Sequence, residues 1–222
     1  MLFRSVVLLN GSALAVNWAN DHAAAIVDAW YPGEEGGTAL ADVLFGDYNP
    51  GGRLPVTFYK SVDQLPPFTD YSMQGRTYRY FKGEPLYPFG FGLSYTKFKY
   101  DKLKLSANTI DAGQELKLTV NVMNAGERIG DDVSQVYITD LNASVPTPIR
   151  TLAAFKRVSL RPGQWQNVSF TITPTQMSLI DNDGKRVIEP GEFEISVGGG
   201  QPSAATVVKG RFSVTGSRKE IP

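Results

Sequence analysis

From Leu116 onward the chain alternates apolar and polar residues with a period of two, and this constrains its fold more than any other feature. Leu116, Leu118, Val120 and Val122 alternate with Lys117, Thr119 and Asn121; Val168, Phe170 and Ile172 alternate with Ser169, Thr171 and Thr173; Phe193, Ile195 and Val197 alternate with Glu194 and Ser196. Successive side chains of a strand point to opposite faces, so this pattern specifies antiparallel sheet with one dry and one wet face. Turn clusters punctuate it at Asn124-Ala125-Gly126, Arg161-Pro162-Gly163, Asp181-Asn182-Asp183-Gly184 and Glu189-Pro190-Gly191. About seven short strands over roughly 110 residues predict an all-β immunoglobulin-like sandwich.

The first 95 residues have a different rhythm. Ser5 to Leu9 is a nearly continuous apolar run ending at Asn10-Gly11, the pattern of a parallel strand buried on both faces. Ala25 to Trp30 reads as a second such strand. A helix follows, with Glu34 and Glu35 where its dipole favours negative charge, Leu40, Val43 and Leu44 at i, i+3, i+4 spacing, and Gly46 as a left-handed stop. Leu54 to Tyr59 reads as another strand. These elements are too few for a complete α/β layer. The fold class is therefore mixed: a partial α/β sandwich layer followed by an all-β sandwich. Met1 to Leu9 is too short an apolar run for a signal peptide, is interrupted at Asn10, and reads as the first strand.

Composition removes several function classes. Lys+Arg and Asp+Glu each number 22, so no net field favours nucleic acid or an anionic membrane. No apolar run is long enough to span a bilayer. Cysteine is absent, which removes disulfides, thiol nucleophiles and thiolate metal sites. His22 is the single histidine, so neither a His-rich metal site nor a Ser-His-Asp triad has support, and no cofactor or metal motif is present.

Three stretches taken in order carry a resemblance. The first is Ala29-Trp30-Tyr31-Pro32-Gly33-Glu34-Glu35-Gly36-Gly37-Thr38-Ala39, running on into Leu44-Phe45-Gly46-Asp47-Tyr48-Asn49-Pro50-Gly51-Gly52-Arg53-Leu54-Pro55-Val56-Thr57-Phe58. The second is Arg76-Thr77-Tyr78-Arg79-Tyr80-Phe81-Lys82-Gly83 with Pro85-Leu86-Tyr87-Pro88-Phe89-Gly90-Phe91-Gly92-Leu93-Ser94-Tyr95. The third is Val187-Ile188-Glu189-Pro190-Gly191-Glu192-Phe193, with Ser196-Val197-Gly198-Gly199 close behind. Over nearly the whole chain these resemble the C-terminal region of family three glycoside hydrolases, β-xylosidases and β-glucosidases. The resemblance implies residues 1–97 as the end of the α/β sandwich domain plus an aromatic linker, and residues 98–222 as a fibronectin-III-like domain. It implies a catalytic barrel and, in many members, an acid/base Glu upstream of Met1, and hydrolysis of non-reducing-end β-glycosides with retention. Its implied partners are a β-linked oligosaccharide or aryl glycoside, met through the complete enzyme, and a periplasmic or secreted location. The Met73-to-Phe81 pattern looks more like the xylosidase-type branch than the glucosidase one.

No residue here matches either catalytic carboxylate of that family, so the chain alone is expected to be inactive. Retaining hydrolysis needs two carboxyl groups about 5–5.5 Å apart. Glu34 and Glu35 are adjacent at a helix start and have a structural explanation; Asp131-Asp132 and Asp181-Asn182-Asp183-Gly184 read as turn or surface acids, the latter without the spacing of a calcium loop. Trp165 follows a turn and is a lone aromatic. The sequons at Asn10, Asn142 and Asn167 are short enough to arise by chance. The informative stretch is Tyr71 to Tyr95, crowded with aromatics and Arg. It reads either as a sugar contact, with Arg76, Tyr78 and Arg79 as the substrate-binding candidates, or as a wedge packed between the two parts of the chain. The alternative for the whole chain is a non-catalytic packing or carbohydrate-binding module.

Overall fold

The computed structural model describes residues 4–204 and 206–222; Met1, Leu2 and Phe3, at the start of the expected first strand, lie outside the described residues. The chain begins with β1 (Ser5–Leu8), α1 (Asn17–His22) and β2 (Ala25–Asp28). The two strands pair in parallel, Ser5 opposite Ala25 through Leu8 opposite Asp28. The helix α2 (Gly36–Phe45) follows and stops at Gly46, whose φ of +85° is the left-handed conformation that glycine adopts without steric cost. Glu34 and Glu35 stand immediately before α2 rather than in its first turn, and Thr38 Oγ1 donates to Glu35 Oε2 at 2.9 Å.

Two expectations for this part are corrected. β1 and β2 are half-exposed, not buried on both faces, because the sheet they form has two strands and little covers it. Leu54 to Tyr59 forms no strand: the backbone bends at Pro55 and Val56, and a single antiparallel bridge joins Phe58 to Tyr87. Pro55 has no N–H, and Pro85 and Pro88 punctuate the facing segment, so a continuous ladder cannot form. The two segments still run side by side: Gly90 N donates to Leu54 O at 2.7 Å and Leu54 N to Phe91 O at 2.8 Å.

Residues from Phe98 onward form the sandwich that the alternation specifies. One sheet is β3 (Phe98–Leu105), β5 (Leu116–Asn124) and β8 (Trp165–Ile172), in the order β3-β5-β8. The other contains β4 (Thr109–Asp111), β6 (Gly130–Asp140), β7 (Thr151–Leu160), β11 (Gly191–Gly198) and β12 (Val208–Thr215), in the order β4-β12-β11-β6-β7. A small third sheet, β13-β10-β9, is made of β9 (Leu179–Ile180), β10 (Arg186–Ile188) and β13 (Lys219–Glu220). All pairings are antiparallel except β4 with β12. Eight strands thus make the two main sheets, one more than the sequence pattern predicts, and the third sheet is an addition to it. The inward set matches the alternation: Leu116, Val120, Val122, Val168, Ile172, Ile195 and Val197 are all fully buried between the sheets.

Candidate functional site

The Tyr71–Tyr95 stretch lies where the first part of the chain meets β6 and β7. Arg76 comes just before α3 (Thr77–Tyr80), a single helical turn. Its Nη2 donates to two backbone oxygens, Pro67 O at 3.0 Å and Asp70 O at 2.9 Å. The guanidinium thus ties the 67–70 loop to α3. Thr77 has φ +56°, and its N–H donates to Tyr59 Oη at 2.8 Å. A β-branched residue is costly in that conformation and persists where its surroundings hold it.

Tyr78 reaches across to the sandwich. Its ring stacks on Phe89 with centroids 4.3 Å apart and meets Tyr137 of β6 edge-on at 6.0 Å. Its hydroxyl accepts a hydrogen bond from the Leu152 N–H of β7 at 3.0 Å. The neighbouring residue repeats the connection through its backbone, Ile149 N donating to Arg79 O at 2.7 Å. The Arg79 side chain turns elsewhere, lining a cavity of about 480 Å³ with Asp140, Met177 and Arg186. Phe81 packs edge-on against Tyr59 at 5.0 Å. The structure thus brings Arg76, Tyr78 and Arg79 onto one turn but sends their functional groups to three different places.

The following Pro-Gly-rich segment is fastened by side chains that the sequence reading did not single out. Gln135 Nε2 donates to Gly90 O at 3.0 Å, and Gln201 Nε2 to Phe89 O at 2.9 Å. Gly90 has φ +79°, and a Cβ there would lie 2.2 Å from Gln135 Oε1, so no other residue fits. Below this, Arg53 Nη2 pairs with Asp132 Oδ1 at 2.5 Å while Arg53 Nε donates to Gly199 O at 3.2 Å. Asp132 Oδ2 accepts from Tyr100 Oη at 2.6 Å, and Ser134 Oγ lies 3.0 Å from the same hydroxyl. Burial first, and then the charge of Asp132, push the Tyr100 hydroxyl far above its ordinary pKa, so it stays protonated and donates.

Asp132 is therefore not the surface acid expected from the sequence: its side chain is 2% exposed. It sits on β6 in phase with Ser134 and Val136, both fully buried. Only its neighbour Asp131 is more open, pairing with Arg157 at 2.5 Å. Asp181 is a turn acid, accepting from Asp183 N and Lys185 N at 2.9 and 2.8 Å and pairing with Arg218. His22 stacks on Trp18 at a centroid distance of 4.7 Å on the exposed end of α1, and Trp165 is 61% exposed at the start of β8. Among the described residues no cluster of His, Asp and Glu could hold a metal ion. No helix among them is long and apolar enough to cross a membrane.

At the ends of the parallel pair, Asp28 and Asn10 form a polar contact with unmet demand. Asp28 Oδ1 accepts from Trp30 N at 3.2 Å, but Asp28 Oδ2 and Asn10 Oδ1 are buried without partners among the described residues. Desolvation raises the Asp28 pKa, opposed in smaller measure by the Trp30 N–H and the Asn10 amide. A folded-state pKa above the unfolded value means that the protonated form supports the fold. That support is full below the unfolded pKa and is lost as pH rises through the folded one. Asp28→Asn is expected to match wild type near pH 3 and to become the more stable protein toward pH 7. Urea midpoints across that range check this; parallel curves would exclude it.

Comparison with known proteins agrees with this architecture. Residues 4–95 match the glycosyl hydrolase family 3 C-terminal domain and residues 132–201 the fibronectin type III-like domain. The chain is 42% identical over 198 residues to a β-xylosidase of Formosa agariphila, covering 87% of this chain and 27% of that protein. It is 39% identical over 221 residues to a periplasmic β-glucosidase of Salmonella typhimurium, covering 94% and 28%. Among solved structures, β-glucosidase 3B from Thermotoga neapolitana superposes with a TM-score of 0.86 at 33% identity, over 98% of this chain and 32% of that one. The chain thus spans little more than a quarter of the length of these curated relatives. With both domain types matched in series over a parallel strand pair, an aromatic junction and a β-sandwich, the chain belongs to glycoside hydrolase family 3, as its C-terminal part with a fibronectin-III-like domain.

Proposed function

We propose that this chain is the C-terminal portion of a retaining β-glycosidase acting on non-reducing-end β-linked sugars, xylosides ahead of glucosides, and that alone it is inactive. In this reading it supplies a rigid support for the rest of the active site rather than the reacting carboxylates. The observation that carries it is the double fastening of the aromatic turn: Tyr78 is hydrogen-bonded to β7 at 3.0 Å and stacked on Phe89 at 4.3 Å, and Arg76 is committed to two carbonyls. Groups so engaged hold a loop. The rings free to meet a sugar are those the loop presents, Phe68 and Tyr71, each 91% exposed. The xyloside preference rests on the likeness to proteins named as β-xylosidases, at 42% and 43% identity, and on the Met73-to-Phe81 pattern.

The test replaces the corresponding portion of the Salmonella typhimurium β-glucosidase with this chain, which is 39% identical to it. The isolated chain should turn over neither aryl β-xylosides nor aryl β-glucosides, with or without Glu34→Gln and Glu35→Gln. The chimera should hydrolyse them, with a xyloside-to-glucoside ratio of kcat/KM above that of the parent. In the chimera Tyr78→Phe should cost about 1 kcal/mol of stability, the worth of one hydrogen bond, without changing KM. Phe68→Ala and Tyr71→Ala should raise KM instead. A folded but inactive chimera, or turnover by the isolated chain, would defeat the reading; an unchanged ratio would defeat the xyloside preference.

A further inference from the structure

The sandwich protects its sheet edges unequally. A terminal strand presents unpaired N–H and C=O groups, and folded chains blunt such edges with charges, prolines, bulges or covering segments. β3 carries Lys99, Asp101, Lys102 and Lys104, and its register with β5 shifts between Asp101 and Lys104. β7 carries Lys156 and Arg157, and near its start the Leu152 N–H donates to Tyr78 Oη while Gln176 Nε2 donates to Ala153 O. β4 is three residues long. β8 has none of these devices. Trp165–Ile172 runs for eight residues without a charge or a proline, and its register with β5 is unbroken.

Burial shows which backbone groups of β8 face the open edge. In an antiparallel pair, alternate residues turn both backbone groups toward the neighbouring strand and the others turn both away. Val168 and Ile172 are 0% exposed, and a backbone group that deep without a partner is costly, so theirs are turned to β5, opposite Val120 and Leu116. The N–H and C=O groups of Trp165, Asn167, Ser169 and Thr171 therefore face the edge. All four residues are exposed, and among the described residues these groups have no backbone partner.

Charge and pattern select the occupant. The strand is uncharged, and Lys+Arg and Asp+Glu both number 22, so neither local nor net charge keeps two copies apart. A second β8 laid antiparallel and centred on Val168 sets Trp165 opposite the partner's Thr171, Gln166 opposite the partner's Phe170 and Asn167 opposite the partner's Ser169. Outward positions meet outward positions and core-phase positions meet core-phase ones, a match that a one-residue slip destroys. The edge-facing backbone groups meet one another in the same register. Trp165, 61% exposed beside Met123 at 37%, gains a cross-strand neighbour on its open side.

We propose that β8 is a homodimerisation edge. Two copies of this chain pair antiparallel through β8 about a two-fold axis at Val168, joining their three-stranded sheets into one sheet of order β3-β5-β8-β8-β5-β3. The two-fold axis makes the interface isologous and closed. It needs this chain alone, so it stands apart from the glycosidase reading.

Sedimentation equilibrium of the 222-residue chain tests it, and a monomer–dimer equilibrium is expected at micromolar concentration. Asn167→Lys with Ser169→Lys sets Lys opposite Lys twice across the axis and should weaken the dimer about tenfold or more. Asn167→Lys with Ser169→Glu sets opposite charges at the same two places and should bring the affinity back to within about threefold of wild type. Should either variant misfold, hydrogen exchange of the unaltered chain carries the test. The amides of Trp165, Asn167, Ser169 and Thr171 should slow as the protein concentration rises through the association midpoint. A chain that stays monomeric would overturn the proposal. So would a dimer indifferent to the two lysines, which would place association on the open apolar residues of the first part, such as Trp18 and Phe45. A Lys/Glu variant as weak as the Lys/Lys one, or edge amides whose exchange ignores concentration, would overturn it as well.

Discussion

Asp132→Ala is expected to destabilise the protein by about 3–5 kcal/mol, the cost of removing one partner from a buried ion pair. Arg53 is 10% exposed on its side chain and Asp132 2%, so neither charge has water to fall back on. Without the carboxylate, Arg53 keeps only the Gly199 and Gly52 carbonyls, and the Tyr100 hydroxyl keeps only Ser134. The loss should not be read as the net worth of the pair, because an apolar replacement of both partners also removes the desolvation cost. Arg53→Met with Asp132→Leu should therefore recover most of the lost stability. Urea unfolding of the wild type, Asp132→Ala and the double variant is the measurement. A drop below about 1 kcal/mol for Asp132→Ala would show that the network does not hold the junction.

The same network marks the limit of what the sequence reveals. Local pattern carried the sandwich: Leu116, Val120 and Val168 were identifiable as core because the polar residues between them left one consistent dry face. Gly46 was legible as a helix stop because the conformation it adopts is one that side chains disfavour. The segment after Arg53 misled for an equally local reason: its apolar residues suit a strand, but the prolines on both facing segments withhold the ladder donors. Asp131-Asp132 misled because adjacent acids look alike in composition. In β6 they point to opposite faces, and only the phase shared with Ser134 and Val136 distinguishes them.

The junction was harder still, since its contacts have no local signature. Arg53 meets a partner 79 residues away and Tyr78 one 74 residues away. The aromatic and Arg content of the stretch announced that something was anchored there. Which groups were spent on anchoring, and which were left exposed, depends on where β6 and β7 lie in space. Gln135 and Gln201 belong to the same class, polar residues whose role comes from the Gly90 and Phe89 carbonyls contributed by the other part of the chain.

Phe58→Ala should produce an equally large loss, about 3–5 kcal/mol, but confined to one part of the molecule. Among the described residues up to 95 the only buried apolar side chains are Ala19 and Phe58, the latter 1% exposed; the other large apolar residues with comparable burial lie from Phe98 onward. Phe58 is also where three things meet. Its N–H donates to Tyr87 O at 2.9 Å, its carbonyl accepts from Leu86 N at 2.8 Å, and its ring contacts Trp30 and Tyr87 at centroid distances of 6.2 and 6.1 Å. Around this centre several large apolar side chains are open, including Trp18, Tyr31, Phe45 and Phe68, each more than 60% exposed, and most of the others are only partly buried. A region with a core this small has little reserve, so the truncation should exceed what holds it. The sandwich keeps its own core, including the stacked Phe193 and Phe212 at 5.3 Å, and should survive. The expected result is two unfolding transitions in place of a merged one, with limited proteolysis of the variant leaving a fragment that starts near Phe98. A single cooperative transition in Phe58→Ala, or a surviving N-terminal fragment, would show instead that the two parts fold as one unit and that the contacts of Arg53, Tyr78 and Gln135 couple them more strongly than their separate cores do.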